Sequence, residues 1–214
     1  TNRSTRVEEL RSMLKRLFDC LVAALGLIAL SPLLLGLALL IKLSSPGPVI
    51  FGHERAGRNG ARLRVWKFRT MVQNASSLGG PLTLGGHDPR ITTIGHFLRK
   101  TKLDELPQLF NVLVGQMSLV GPRPEAWKYV DMFPNDFAEI LRVRPGITDP
   151  ASIEFRDEGS LLAASPDPER TYIEDILPQK IRLAQSYITQ HSLRSDLCLI
   201  LRTVARLLGD RIKS

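Results

Sequence analysis

Residues 15–46 read KRLFDCLVAALGLIALSPLLLGLALLIKLSSP, and how this stretch is read decides the fold. From Cys20 to Ile41 no side chain is charged. Helical throughout, that run would extend roughly 33 Å, close to the thickness of a bilayer core. Ser31-Pro32 sits at its midpoint. Proline there removes a backbone donor and costs a straight helix about 3 kcal/mol. A kink is the expected relief, with the Ser31 hydroxyl satisfying a carbonyl that proline leaves without a donor. Both flanks are basic, Lys15 and Arg16 before the run and Lys42, Arg55 and Arg58 after it. Cytoplasmic flanks favour Lys and Arg, so neither end is preferred as the inner one. A helix that enters, breaks at Ser31-Pro32 and returns to the same face fits both facts. A single span with a tolerated proline fits the length, and the residues alone leave both readings open.

Working outward, the 214-residue chain is 43% hydrophobic, with much of that fraction concentrated in this run. The length suits one globular domain with a membrane element, divided here into residues 1–46 and 47–214. Val7 to Leu17 extends the first helix, with Leu10, Leu14 and Leu17 at helical spacing. The run is too long for a signal peptide and no small-x-small cleavage site closes it. A formal net charge of +8 calls for an anionic partner. Beside a membrane run, anionic lipid and phosphorylated substrates rank above nucleic acid, which is not expected. Cys20 and Cys198, far apart in apolar surroundings, read as small apolar side chains in a reducing compartment.

After the run, Ser44-Ser45-Pro46-Gly47-Pro48 stops any helix. Val49–Gly52 is a short strand, Asn59-Gly60 a hairpin turn and 61–71 the return strand. Lys67 and Arg69 leave one face of that strand, Trp66, Phe68 and Thr70 the other, so the basic face is either an anion-holding one or the solvated side of an edge strand. Residues 73–90 read as a surface loop. Its Gly79-Gly80 and Gly85-Gly86 pairs lack the Gly-Lys-Ser/Thr of a phosphate loop.

The densest signal is ITTIGHFLRKTKLDELPQLFNVLVG, residues 91–115. Asp104-Glu105 precedes Pro107, a residue favoured in the first turn of a helix. The two carboxylates either cap that helix or form a site. In the second reading the helix start gathers carboxylates, free N–H groups and Arg99, Lys100 and Lys102, and suits a metal-bound diphosphate. Adjacent helical residues point roughly 100° apart, so the two acids would take different tasks. Arg123 stands between two prolines on a stiff backbone, which reads as a rigid turn with an incidental surface arginine or as a guanidinium held to grip a phosphate or carboxylate in fork geometry. RVRPGIT, residues 142–148, repeats the theme with Arg144. Residues 149–171 read as a polar loop, 172–190 as a helix and 192–213 as a basic amphipathic helix.

In order along the chain stand Lys15-Arg16-Leu17-Phe18-Asp19, Ser31-Pro32, Lys67-Phe68-Arg69-Thr70-Met71 and Asp88-Pro89-Arg90-Ile91-Thr92. Leu98-Arg99-Lys100-Thr101, Asp104-Glu105-Leu106-Pro107-Gln108, Gly121-Pro122-Arg123-Pro124 and Arg144-Pro145-Gly146-Ile147-Thr148 follow. This ordered set resembles the bacterial sugar transferases, also called monotopic phosphoglycosyl transferases, from about Lys15 to Gly209. The resemblance implies a mostly helical α+β fold. Its parts would be a re-entrant membrane helix turning at Ser31-Pro32, a small β-hairpin and a globular domain with amphipathic interfacial helices. The globular part would lie on the cytoplasmic face of the bacterial inner membrane.

The resemblance further implies transfer of a phosphosugar from a UDP-sugar to undecaprenyl phosphate, yielding polyprenol diphosphosugar and UMP. In such enzymes the Asp of the dyad attacks the phosphate that carries the sugar. Asp104 would be that nucleophile. Glu105 would hold Mg²⁺ with Asp104 or take a proton from the lipid phosphate, and Lys67, Arg99, Arg123 and Arg144 would bind phosphate oxygens. The partners implied are the UDP-sugar, undecaprenyl phosphate and membrane lipids, with a homo-oligomer left open. Two places depart from relatives of this kind: Asp149–Glu158 replaces a Gly-Trp or Gly-Leu segment, and Ala184 stands where an Asp is common. Two other functions fit the composition, a membrane-anchored metal-dependent phosphohydrolase and a non-enzymatic membrane-anchored binding protein for an acidic partner.

Overall fold

The apolar run folds as two helices. In the computed structural model, which describes residues 2–79, 82, 83, 85 and 88–212, α1 (Asn2–Ala29) and α2 (Ser31–Ser44) meet at a bend of 62°. Pro32 has no N–H to give to the carbonyl of Ile28, one turn back. The Ser31 hydroxyl donates to that carbonyl instead, at 2.7 Å, as the sequence predicts. Among the described residues no single helix is long and apolar enough to cross a membrane, whereas the bent pair meets the length and composition together.

Downstream come the hairpin strands β1 (Ile50–Ala56) and β2 (Arg62–Phe68), α3 (Thr93–Thr101), α4 (Gln108–Leu113) and β3 (Ser118–Val120). Next are α5 (Trp127–Met132), α6 (Pro134–Ile140), β4 (Gly146–Thr148), α7 (Pro150–Glu154), α8 (Glu158–Ala163) and α9 (Pro168–Thr171). A π-helical turn, Tyr172–Ile176, leads into α10 (Leu177–Gln190), and α11 (Leu193–Ile212) closes the described chain. The protein is mostly helical with two small sheets, the expected α+β class.

The antiparallel hairpin runs from Ile50↔Phe68 to Ala56↔Arg62. Asn59 (φ 56°) and Gly60 (φ 70°) both take left-handed backbone in its turn, the conformation that makes Asn-Gly a hairpin signal. The first strand runs past the expected Gly52, because the register pairs it up to Ala56, and the return strand stops short of the expected residue 71. The second sheet was not expected. Strands β3 and β4 pair in parallel, Ser118↔Gly146 and Val120↔Thr148. A Cβ on Gly146 would lie 2.1 Å from the Gly121 nitrogen, so this crossing needs glycine. Residues 149–171, expected as a polar loop, hold three short helices. Asp149 and Asp167 start two of them, accepting from Ser152 N (2.7 Å) and Arg170 N (3.1 Å).

Three apolar clusters hold these elements. Tyr129, Phe137, Tyr172, Ile181 and Ala184 belong to the first, Ala23, Leu63, Val65, Met117 and Val120 to the second. The third matters most for the site: Leu37 and Ile41 of α2 pack on Phe68 and Leu98, with Ile94 and Leu103 against them.

Both limbs of the bent pair are tied to this body. On α1, Lys15 pairs with the buried Asp196 of α11, and Arg16 donates to the carbonyls of Val112 (2.6 Å) and Leu113 (2.9 Å) at the end of α4. Asp19, buried, accepts from the Ser118 hydroxyl at 2.7 Å. At the far end of α2, Arg69 donates to the carbonyls of Ile41 (3.3 Å), Ser45 (2.8 Å) and Pro46. A guanidinium at a helix C-terminus meets the negative end of the helix dipole. The opposite faces stay uncovered: Leu17, Leu21, Leu25 and Ile28 on α1, and Leu35, Leu39 and Leu43 on α2, are exposed.

Candidate active site

Asp104-Glu105 lies in a 3-10 turn, Leu103–Glu105, between α3 and α4. Its place follows from the strand before it. The segment leaving β2 bridges to the start of α3 (Met71↔Ile91), and Thr92 N donates to Thr70 O at 3.0 Å. Thr92 then caps α3 by accepting from Gly95 N at 3.0 Å. Gly95 touches the strand so closely that a Cβ there would sit 2.1 Å from Thr70 O. One turn on, the Arg99 Nε donates to the Thr70 hydroxyl at 2.8 Å. Helix α3 ends at Lys102 in a left-handed conformation (φ 56°), and Leu103 anchors the following turn on α2 and β2. The dyad therefore sits where the returning apolar limb meets the hairpin.

One of the two readings the sequence left open put the dyad at a helix start with free N–H groups. The structure corrects this. Pro107 precedes α4, and the Glu105 and Leu106 N–H groups are used inside the turn, donating to Lys102 O (3.2 Å) and Leu103 O (3.3 Å). What the site offers an anion includes the side-chain cations around the dyad.

The two carboxylates have opposite environments. Both oxygens of Glu105 are paired: Oε1 accepts from Lys67 Nζ (2.7 Å) and Arg123 Nη2 (2.5 Å), and Oε2 from Arg123 Nη1 (3.3 Å). Burial alone would raise its pKa, but Arg123 and Lys67 outweigh that and hold it well below the ordinary glutamate range. Asp104 is buried, and its Oδ1 has no partner. Burial pushes its pKa up, with the Glu105 charge adding, against Lys67, Lys102 and Arg99. Four cationic side chains, Lys67, Arg99, Lys102 and Arg123, thus surround two acids, an excess suited to a diphosphate. Arg99 spends only its Nε, so its two terminal nitrogens make no hydrogen bond among the described residues.

Of the residues singled out from sequence, Lys67, Arg99, Arg123, Asp104 and Glu105 come together. Arg144 does not. Its Nε donates to Gly115 O at 3.0 Å and its charged neighbours are Arg58, Arg16 and Asp19, with neither acid of the dyad among them. Arg69, expected on an anion-holding face with Lys67, is spent on the end of α2. Ala184 lies in the first core cluster.

Three supporting residues were not read from sequence. Asp149 accepts from Arg123 N (3.2 Å) while capping α7, and so fixes the Pro-Arg-Pro segment. Asn111, fully buried on α4, accepts from Trp66 N (3.0 Å) and donates to Arg64 O and Gln116 Oε1 (2.8 Å each). Thr70 orients Arg99. Asn111 between Phe110 and Val112 was the available signal, but its strand partners Arg64 and Trp66 lie far off in sequence.

For a magnesium ion, the donors present are hard oxygens: the unpartnered Oδ1 of Asp104 and the remaining lone pair of Glu105 Oε2. Among the described residues no group of three or more His, Cys, Asp or Glu could hold a metal by itself. Two carboxylates with substrate phosphate oxygens completing the shell is how Mg²⁺ is commonly bound, so the residues fit an ion arriving with a diphosphate.

A 38% identical relative is the UDP-N-acetylgalactosamine-undecaprenyl-phosphate N-acetylgalactosaminephosphotransferase of Aeromonas hydrophila, matched over 92% of this chain and 44% of its own length. The UDP-glucose:undecaprenyl-phosphate glucose-1-phosphate transferase of Caulobacter vibrioides is 39% identical over 91% of this chain and 69% of its own. The exopolysaccharide production protein ExoY of Sinorhizobium fredii is 35% identical over 89% and 83%. The chain thus spans less than half of the Aeromonas relative and most of the other two. Residues 10–210 match the family described as bacterial sugar transferase, and the chain belongs to that family.

Proposed function

We propose that this protein transfers a phosphosugar from a UDP-sugar to undecaprenyl phosphate, producing polyprenol diphosphosugar and UMP through a covalent intermediate on Asp104. One observation carries the reading: a buried carboxylate with an unpartnered oxygen, ringed by cations, at the foot of a bent apolar helix pair. Relatives are named for transfer of a sugar phosphate from a UDP-sugar to undecaprenyl phosphate.

Asp104 Oδ1 attacks the phosphorus that carries the sugar, in line with the bond to the bridging oxygen. That bond breaks and UMP leaves with its electrons. An oxygen of the polyprenol phosphate then attacks the same phosphorus, and Asp104 departs as a carboxylate. No proton needs to move in either step. A raised pKa makes Asp104 the more basic, better nucleophile of the two acids. Glu105, held far down by its cations, is a poor proton acceptor. Its role is to hold Lys67 and Arg123 where the donor's phosphates arrive, with the Arg99 charge also acting on Asp104. Mg²⁺, held through Asp104 and Glu105, would supply further positive charge at the diphosphate.

The membrane pose belongs to the same proposal. The uncovered apolar faces of α1 and α2 enter the bilayer, the bend at Ser31-Pro32 turns the chain back, and the body rests on the cytoplasmic face. Support comes from both ends of the run being bound to one body, by Lys15 and Arg16 at its start and Arg69 at its end. The test offers a panel of UDP-sugars with Mg²⁺ to the protein in nanodiscs. A stoichiometric burst of UMP without acceptor, and turnover only with undecaprenyl phosphate, is the expected result. Release of sugar phosphate to water would point to a phosphohydrolase; salt-sensitive binding without chemistry would point to a binding protein.

A further inference from the structure

Gln108 opens α4, four residues after Asp104, and is 2% exposed. Its side-chain amide makes no hydrogen bond among the described residues, and Nε2 is sealed from solvent. Buried polar groups in folded proteins are nearly always partnered, because an unmade bond there costs free energy. Helix α4 supplies its own comparison. Asn111, three residues on and equally buried, makes three hydrogen bonds. A leucine or methionine would fill the volume of Gln108 without leaving a donor orphaned.

A second orphan lies four residues before it in the sequence. The backbone between them is helical at Leu106 (φ −54°, ψ −35°) and Pro107 (φ −60°, ψ −17°), so about one turn of helical backbone separates residues 104 and 108. Asp104 Oδ1 and Gln108 Nε2, an acceptor and a donor, are both buried and both unpartnered. They do not bond each other. Resting on the phosphoryl-transfer reading above, we infer that Gln108 is a catalytic residue, its Nε2 donating to a non-bridging oxygen of the phosphoryl group that Asp104 attacks. A neutral donor suits that position. It stabilises charge spread over the phosphoryl oxygens without forming an ion pair that would quench the Asp104 nucleophile.

The test uses the full chain in nanodiscs with two variants, Gln108→Leu and Gln108→Asn. The leucine variant removes a buried donor without changing bulk, so its melting temperature should equal or exceed that of the unaltered protein. Its UMP burst should be slower by about 100-fold, the scale of losing one oxyanion donor, and inorganic pyrophosphate with Mg²⁺ should protect it less against melting. The asparagine variant keeps an amide but draws it back by one methylene, and should show the same slowing if the leucine variant does not fold. An unchanged burst with unchanged pyrophosphate protection in either folded variant overturns the inference and leaves the proposed function standing. A lowered melting temperature with an unchanged burst assigns the amide to a buried structural water and also overturns it. If the unaltered protein releases UMP from no UDP-sugar, the proposed function falls. Loss of pyrophosphate protection in the variants would then still support the phosphoryl contact, and its retention would end that too.

Discussion

Replacing Glu105 by glutamine should destabilise the protein, and replacing its neighbour Asp104 by asparagine should not. Glu105 accepts two bonds from Arg123 and one from Lys67. Charge-assisted bonds contribute roughly 1.5–3 kcal/mol each when buried. Here the Lys67 side chain is 24% exposed and Arg123 36% exposed, so water recovers much of the loss. A net cost of about 2–3 kcal/mol remains, because glutamine leaves two cations facing each other across a neutral amide. For a chain of this length that lowers the melting temperature by about 5–10 °C at pH 7. The pH dependence has a definite sign. A depressed carboxylate contributes stability above its unfolded value, near 4.5, and loses it as pH falls through the lower folded value. The gap between wild type and Glu105→Gln should therefore close below about pH 4. Thermal melting of both proteins in nanodiscs, from pH 8 down to the lowest pH at which each still refolds, reads this out. Melting temperatures within 1 °C of each other at pH 7 would refute the reasoning, since Glu105 would then not be the counter-ion holding Lys67 and Arg123.

Asp104→Asn removes a charge that burial already disfavours, so its melting temperature should stay level or rise by a few degrees while UMP release is lost. Because Asp104 must be ionised to attack, kcat/KM should fall with decreasing pH through a value above the ordinary 3.8. An acid limb below that value would contradict the burial of this carboxyl. Arg69→Met strips the end of α2 of its donor to three carbonyls and should cost about 3 kcal/mol, exposing residues 44–48 to limited proteolysis. Gly95→Ala places a Cβ 2.1 Å from Thr70 O, so α3 must shift and carry Arg99 off Thr70. Transfer should drop at least tenfold, with weaker protection by UDP-sugar in the same melting assay. Ser31→Ala leaves the Ile28 carbonyl without its donor and should lower the melting temperature modestly, by a loss of about 1 kcal/mol.

Much of this was legible in the sequence where a signal is local. An uncharged run broken by Ser31-Pro32 determines a bent apolar helix, because one missing N–H fixes where the ladder fails. Asn59-Gly60 determines a hairpin, because few other pairs accept left-handed backbone twice. Asp104-Glu105 among Lys and Arg reads as a helix cap or as an anion site, and charge alone left both open. Tertiary structure decided what depends on distance through space. It separated two adjacent acids into one bound to cations and one left free, since that difference is set by Lys67 and Arg123, far away along the chain. It turned Arg69 from a candidate anion ligand into the anchor of α2, and moved Arg144 away from the dyad. It paired β3 with β4, whose three residues each are too few to show a period. Local sequence fixes backbone torsions and the charges available; which charge meets which is decided only when packing brings the partners together.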